Sequence, residues 1–149
     1  MKKIIVFSDI HLNSADEPSL KKSSQKLEKA ILHLQGNHND FDTLVFTGDL
    51  ADSGKIEEYS ALRNLVSVIN RPIKFMLGNH DNRKNFLDVF PYYQPDHNGF
   101  LQSSEAYENL DFIFLDTLKD PHDDIPKSCG YLCEKRLDWF CLLYTSPSP

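Results

Sequence analysis

Three short polar segments, each placed directly after an apolar, β-prone run, constrain this chain more than any other feature. Ile4-Ile5-Val6-Phe7 leads into Asp9-Ile10-His11, Leu44-Val45-Phe46 into Gly48-Asp49-Leu50-Ala51-Asp52, and Ile73-Lys74-Phe75-Met76-Leu77 into Gly78-Asn79-His80-Asp81. Between them lie stretches with helical spacing. Leu27, Ala30, Ile31 and Leu34 share one face of 23–35, and Tyr59, Leu62, Val66 and Ile69 share one face of 56–70, where Pro72 enforces the stop. The order β-α-β-α-β predicts a parallel sheet with right-handed crossovers. In such a sheet the carboxyl ends of successive strands open onto one crevice, where ligands bind. Carboxylate, imidazole and amide oxygens gathered there form a mixed oxygen–nitrogen site for divalent first-row metals. That is a site suited to hydrolysis.

The rest of the chain narrows the class. Its 149 residues fit one domain, and a net charge of −6 leaves no electrostatic footprint for nucleic acid. Asp9 and His11 interrupt the apolar run near the N-terminus, and no small-residue cleavage site follows, so a signal peptide is not expected. No apolar stretch approaches a membrane span. Cys129, Cys133 and Cys141 match neither a zinc ribbon nor a secreted disulfide framework, and a reducing cytosol is the expected compartment. Residues 83–90 are expected to open another helix, Glu105–Glu108 and Phe112–Leu115 to form neighbouring antiparallel strands, and Tyr131–Phe140 to begin a further helix with an apolar face at Leu137, Trp139 and Phe140. Gly36-Asn37-His38-Asn39-Asp40 nearly repeats the third motif, but it follows a helical stretch and precedes a strand, so it is expected at the opposite end of the sheet. The last residues, 141–149, break the pattern and end in a Ser/Pro run that cannot continue a helix. They are expected to be a disordered or artefactual tail to a domain spanning 1–140.

The succession D-x-H, G-D-x-x-D, G-N-H-D resembles the calcineurin-like metallophosphoesterases, and the resemblance runs from Lys3 to about Phe140. Gly78-Asn79-His80-Asp81 followed by Arg83, together with Asp116-Thr117, is similar to the class III cyclic-nucleotide phosphodiesterases. The resemblance implies an α/β fold, the N-terminal part of a four-layer α/β/β/α sandwich in which a parallel βαβαβ start is followed by antiparallel strands. It implies two divalent ions (Mn, Fe or Zn), about 3.5–4 Å apart, that activate water and clamp a phosphoryl group. Asp9 and His11 would hold the first ion, Asp49 would bridge both, and Asn79 would serve the second. His80 would face the substrate and protonate the leaving oxygen. Asp81 would either orient that imidazole or cap a helix, Arg83 would bind phosphate or form a surface ion pair, and Asp52 would lie behind the ligands or cap a helix.

The family completes its metal shells with histidines from a C-terminal half, one after an apolar strand and two in a G-H-x-H segment, and neither pattern occurs in this chain. The expected reading is therefore the N-terminal part of an enzyme that hydrolyses a small phosphodiester such as a cyclic nucleotide, with one sheet face left apolar and uncovered. A protein phosphatase of the same fold fits less well, because Ser53 and Asp81 stand where that branch carries Arg and Glu. A nuclease lacks its basic patch. A metal-poor scaffold relative would ordinarily lose the D-x-H ligands, which are intact here.

Overall fold

The computed structural model describes residues 2–13, 21–107 and 110–145. Three parallel strands form the main sheet: β1 (Ile4–Phe7), β2 (Thr43–Phe46) and β3 (Ile73–Phe75), in the order β1-β2-β3. α1 (Lys21–Asn37) connects the first pair and α2 (Ile56–Val66) the second. β2 lies in the middle and all four of its residues are buried, as a strand covered on both faces must be. The register sets Phe7, Phe46 and Phe75 side by side, and their rings pack at 5.5 and 5.0 Å. That face carries the core. Leu27, Ile31 and Leu34 of α1 and Tyr59, Leu62 and Val66 of α2 are buried against it in one cluster. No helix among the described residues is long and apolar enough to cross a membrane.

α2 stops earlier than its hydrophobic spacing predicts. Ser67 Oγ donates to the Asn64 carbonyl at 2.7 Å, and the Ile69 amide reaches back to Val66, so the local groups satisfy one another without another helical turn. At its start Glu58, on the first turn, accepts from the amides of Ser53 and Lys55. Gly36 and Asn37 close α1, which places the near-repeat of the third motif at the amino end of β2, far from the motif loops. α3 (Arg83–Val89) is capped by Asn82, whose side chain accepts from the Asn85 amide at 3.0 Å.

The second half is built differently. β4 (Ser103–Tyr107) and β5 (Leu110–Phe114) form an antiparallel hairpin of their own; Glu108, expected in the first of these strands, lies outside the described residues. The hairpin lies against the sheet face opposite the helices. Glu105 pairs with Lys74, and the Lys74 ammonium sits 5.9 Å from the Phe114 ring. The face expected to be bare is thus covered over the middle strand, where Val45 is 5% exposed, and open at β1, where its register partner Val6 is 57% exposed. α4 (Glu134–Thr145) corrects another expectation: the helix does not break at Cys141 but runs to Thr145, because Leu142 and Leu143 are helix formers and the prolines come only at Pro147 and Pro149. Residues 146–149 lie outside the described residues. Of the expected apolar face, Leu137 is 44% exposed while Trp139 and Phe140 are half-buried. The residue that enters the interior is Arg136, with no exposed surface at all.

Candidate metal centre

The ends of β1 and β2 continue to pair after the strands themselves have stopped. The Asp9 amide donates to the Gly48 carbonyl, His11 to Asp49, Leu12 to Leu50, and Asp52 back to Leu12. This zipper runs the first two motifs side by side. It does so through a backbone that ordinary residues avoid: Asp9, His11 and Asp49 have φ of 54°, 41° and 47°, and they are the non-glycine residues with positive φ among those described. Such strain persists only where the surroundings impose it, and it collects at functional sites. Its effect here is to turn three polar side chains toward one point. One donor atom from each of Asp9, His11 and Asp49 lies within 4.8 Å of the others.

The third motif closes on the second by contact too tight for any side chain but hydrogen. A Cβ on Gly78 would stand 2.2 Å from Asp49 Oδ1, and one on Gly48 would stand 3.0 Å from the Gly78 Cα. Asp49 Oδ1 accepts from the His80 amide at 3.0 Å, while its Oδ2 lies 3.6 Å from His11 Nε2. Its two oxygens therefore address two different loops. Asn79, half-buried, stands between Gly78 and His80 on the third loop. The His80 ring packs edge-on against His11 with centroids 4.7 Å apart, and its Nδ1 lies 2.7 Å from the Asp52 carbonyl. A carbonyl can only accept, so the proton is on His80 Nδ1.

These residues fit a divalent cation. The donors are carboxylate oxygen and imidazole nitrogen with no thiolate, a set suited to Mn, Fe or Zn. Asp9 and Asp49 have no Lys or Arg partner among the described residues. His11 Nδ1 is shielded from water and has no hydrogen-bond partner, although its ring is partly exposed. Asp9, Asp49 and Asp52 thus crowd negative charge around two imidazoles, which is costly unless a cation joins them. A cleft of about 620 Å³ opens beside Asp9 and His11, between the end of β1 and α1, with Asn13 and Lys26 on its wall.

Asp81 and Arg83 turn away from this point. Asp81 is buried, and its carboxylate accepts from the amides of Leu50, Ala51 and Gly78 and from the Tyr59 hydroxyl, at 2.8–3.1 Å. It neither orients His80, which is held by the Asp52 carbonyl, nor caps α3, which is capped by Asn82; it ties the second motif to the third. Burial raises its carboxyl above the usual value and the four donated hydrogen bonds pull it back, and burial likewise raises Tyr59. Arg83 makes an ion pair, but an interior one. Nε and Nη2 hold Asp116 at 2.8 and 3.0 Å, Nη1 holds Asp120 at 2.6 Å, and Nη2 also donates to the Leu118 carbonyl.

Behind it lies a residue that sequence reasoning missed. Arg136 Nη1 donates to the carbonyls of Asp116 and Leu118, and its guanidinium stacks 4.4 Å from the Phe100 ring. Asp116 sits between the two arginines, fully buried, and also accepts from the amides of Leu101 and Leu118. No local pattern marks Arg136, which lies in an ordinary charged stretch of helix.

Comparison with known proteins agrees with this geometry. The family model for the calcineurin-like phosphoesterases matches residues 2–142, and the chain belongs to that family. A probable cyclic nucleotide phosphodiesterase of Rhodopseudomonas palustris is 31% identical over 136 residues, covering 91% of this chain and 48% of that protein. A probable glycerophosphodiester phosphodiesterase of Arcobacter nitrofigilis is 31% identical over 140 residues, covering 91% and 49%. A cAMP/cGMP dual specificity phosphodiesterase of Mycobacterium tuberculosis is 28% identical over 156 residues, covering 98% and 46%. The chain spans about half the length of these curated relatives.

Proposed function

We propose that this chain carries one half of the catalytic site of a metal-dependent phosphodiesterase, with a 3',5'-cyclic nucleotide as its leading substrate. The observation that carries this reading is the convergence of Asp9, His11 and Asp49 within 4.8 Å, each on a left-handed backbone that serves no other evident purpose. The names of the relatives support the substrate class: two of the three are named for cyclic nucleotides and one for glycerophosphodiesters.

In this reading Asp9 and His11 would hold one divalent ion, Asp49 would serve both ions, and Asn79 would serve the second. When bound, such a pair supplies positive charge to the phosphoryl oxygens and makes water a competent nucleophile near neutral pH. His80 acts on the leaving oxygen. To donate, the ring must be the imidazolium: the Nδ1 proton stays on the Asp52 carbonyl, the second proton leaves from Nε2, and neutral imidazole remains. Asp81 and Arg83 serve by position: Asp81 clamps the two motif loops, and Arg83 pins the start of α3 to the 116–120 loop. The remaining ligands would come from sequence corresponding to the other half of the relatives.

The test is hydrolysis by the full-length protein of bis(p-nitrophenyl) phosphate, cyclic AMP and glycerophosphoethanolamine, with Mn²⁺ and with EDTA. Mn²⁺-dependent turnover of the cyclic nucleotide, abolished by the chelator, is expected. Chelator-resistant hydrolysis would sink the mechanism. A preference for the glycerophosphodiester would move the substrate assignment without touching the metal reading.

A further inference from the structure

Arg136 is a buried cation with one hydrogen-bonding group left over. Its Nη1 donates to the carbonyls of Asp116 and Leu118 at 3.0 and 2.8 Å, and its Nε donates to Cys133 Sγ at 3.4 Å. The guanidinium carbon lies 4.4 and 5.6 Å from the ring centres of Phe100 and Tyr131. Nη2 is shielded from water and has no hydrogen-bond partner among the described residues. A charged donor buried without an acceptor is costly.

Nε and Nη2 share one edge of the planar guanidinium, the fork that grips two atoms of an anion at once. Arg83 uses this fork in full on the two oxygens of Asp116. On Arg136 one tooth meets the sulfur of Cys133 and the other meets no acceptor. Cys133 directly precedes α4, and the amides of Lys135 and Arg136 also face its sulfur. Burial raises the thiol, but the Arg136 guanidinium and these two amides outweigh it, so Cys133 ionises below the ordinary thiol range. Arg136 is the charged side chain that acts on it, and Lys135 acts through its amide. Cys133 is half-buried, whereas Cys129 and Cys141 are exposed.

We propose that Cys133 is a modification site, a thiol that hydroperoxides oxidise to a sulfenate whose oxygen accepts from Arg136 Nη2 while the sulfur stays on Nε. The thiolate sulfur attacks the terminal oxygen of the hydroperoxide. The S–O bond forms as the O–O bond breaks, the sulfur loses two electrons, and the peroxide is reduced to an alkoxide (hydroxide, from hydrogen peroxide) that takes a proton from water. The sulfenic acid then releases its own proton, and the oxygen fills the fork. Two equivalents of a thiol reverse the step: the first displaces water to give a mixed disulfide, and the second releases Cys133 as the thiol and leaves with the first as a disulfide. The added oxygen takes up a donor that the fold leaves unused. The bonds from Nη1 to Asp116 and Leu118, and from Asp116 to Arg83, are therefore kept.

The test treats the reduced full-length protein with hydrogen peroxide in the presence of dimedone, which traps sulfenic acids, and follows the adduct at each cysteine by peptide mass spectrometry. Exposure alone ranks Cys129 and Cys141 ahead of Cys133. The fork predicts the reverse order, with the adduct at Cys133 forming about 3–10-fold faster than at either of the others at pH 7. Iodoacetamide alkylation followed against pH should show Cys133 titrating below Cys129 and Cys141. In Arg136→Met, which keeps an unbranched apolar stem beside Phe100 and leaves Asp116 its pairing with Arg83, both advantages of Cys133 should be lost. If that variant folds poorly, the ranking and the pH profile of the wild-type protein decide the matter by themselves. Trapping at Cys133 no faster than at Cys129 and Cys141 would overturn the proposal. So would a folded Arg136→Met protein in which Cys133 keeps its full advantage. Metal content and turnover play no part in these readouts, so their outcome is separate from that of the phosphodiesterase reading.

Discussion

Two sets of aspartates in this molecule have opposite surroundings. Asp81 and Asp116 are buried, and each accepts at least four hydrogen bonds from amides, a tyrosine hydroxyl or a guanidinium. Asp9, Asp49 and Asp52 stand at the mouth of the sheet, partly exposed, with two histidines between them and no arginine or lysine partner among the described residues. A carboxylate whose oxygens are saturated by the fold can do little but hold it together, because every lone pair is spent. One that is crowded against like charges, on a strained backbone, is destabilising until something positive arrives. The degree of saturation therefore separates scaffold from site more cleanly than motif membership does, since Asp49 and Asp81 both belong to the motifs.

The largest effects should come from the two extremes. In the full-length protein Asp49→Ala should bring turnover to background and remove binding of both ions, because no other side chain addresses both loops. Its metal-free stability should fall by at most about 1 kcal/mol, the worth of the bond from the His80 amide. Retention of two bound ions by this variant would break the comparison. Asp116→Ala should do the reverse. It leaves Arg83 and Arg136 buried without their shared partner, at a cost of about 3–5 kcal/mol read by chemical denaturation. A loss under 1 kcal/mol would mean that the arginines repartner and that Asp116 is not structural.

The contrast also explains what the sequence could reveal. The three strands, the helices between them and the gathering of Asp9, His11 and Asp49 were legible because each motif is contiguous and follows its own apolar run. The shortened α2 was not, because a single Ser67 hydroxyl outweighed the spacing of Ile69. Asp81 reads as a helix cap by residue type, but its partners lie about thirty positions away in the second motif, at Leu50 and Ala51. Arg136 was invisible for the same reason: its partners are main-chain carbonyls of Asp116 and Leu118 and the ring of Phe100, and a run such as Glu134-Lys135-Arg136 looks like any solvated helix face. Local chemistry shows in sequence. Saturation is a property of long-range contacts and does not.

His80 tests the comparison inside the site itself. It lies next to Asn79 but is assigned to the substrate, so His80→Ala in the full-length protein should lower the rate by about 10²–10⁴ while two ions stay bound. The backbone amide that Asp49 accepts from is kept in this variant, which is why metal content should hold. Parallel loss of metal and activity would place His80 among the ligands.

The smallest effect is expected where the two regions meet. Asn82 lies two positions past His80, within the stretch that resembles the family's third motif, yet by its contacts it belongs to the scaffold. Its side chain accepts from the Asn85 amide at 3.0 Å to cap α3, and its own amide donates to the Tyr59 hydroxyl, which in turn donates to Asp81. Asn82→Ala removes the cap and keeps the amide. The cost should be about 1 kcal/mol of stability, the usual worth of such a cap, with Mn²⁺ affinity unchanged because no atom lost in the substitution faces Asp9, His11 or Asp49. Denaturant midpoints and a metal titration on the same protein would check both halves. A fall in Mn²⁺ affinity larger than the fall in stability would mean that the α3 cap is coupled to the site and that the boundary between spent and unspent groups runs further along the chain than Asp81.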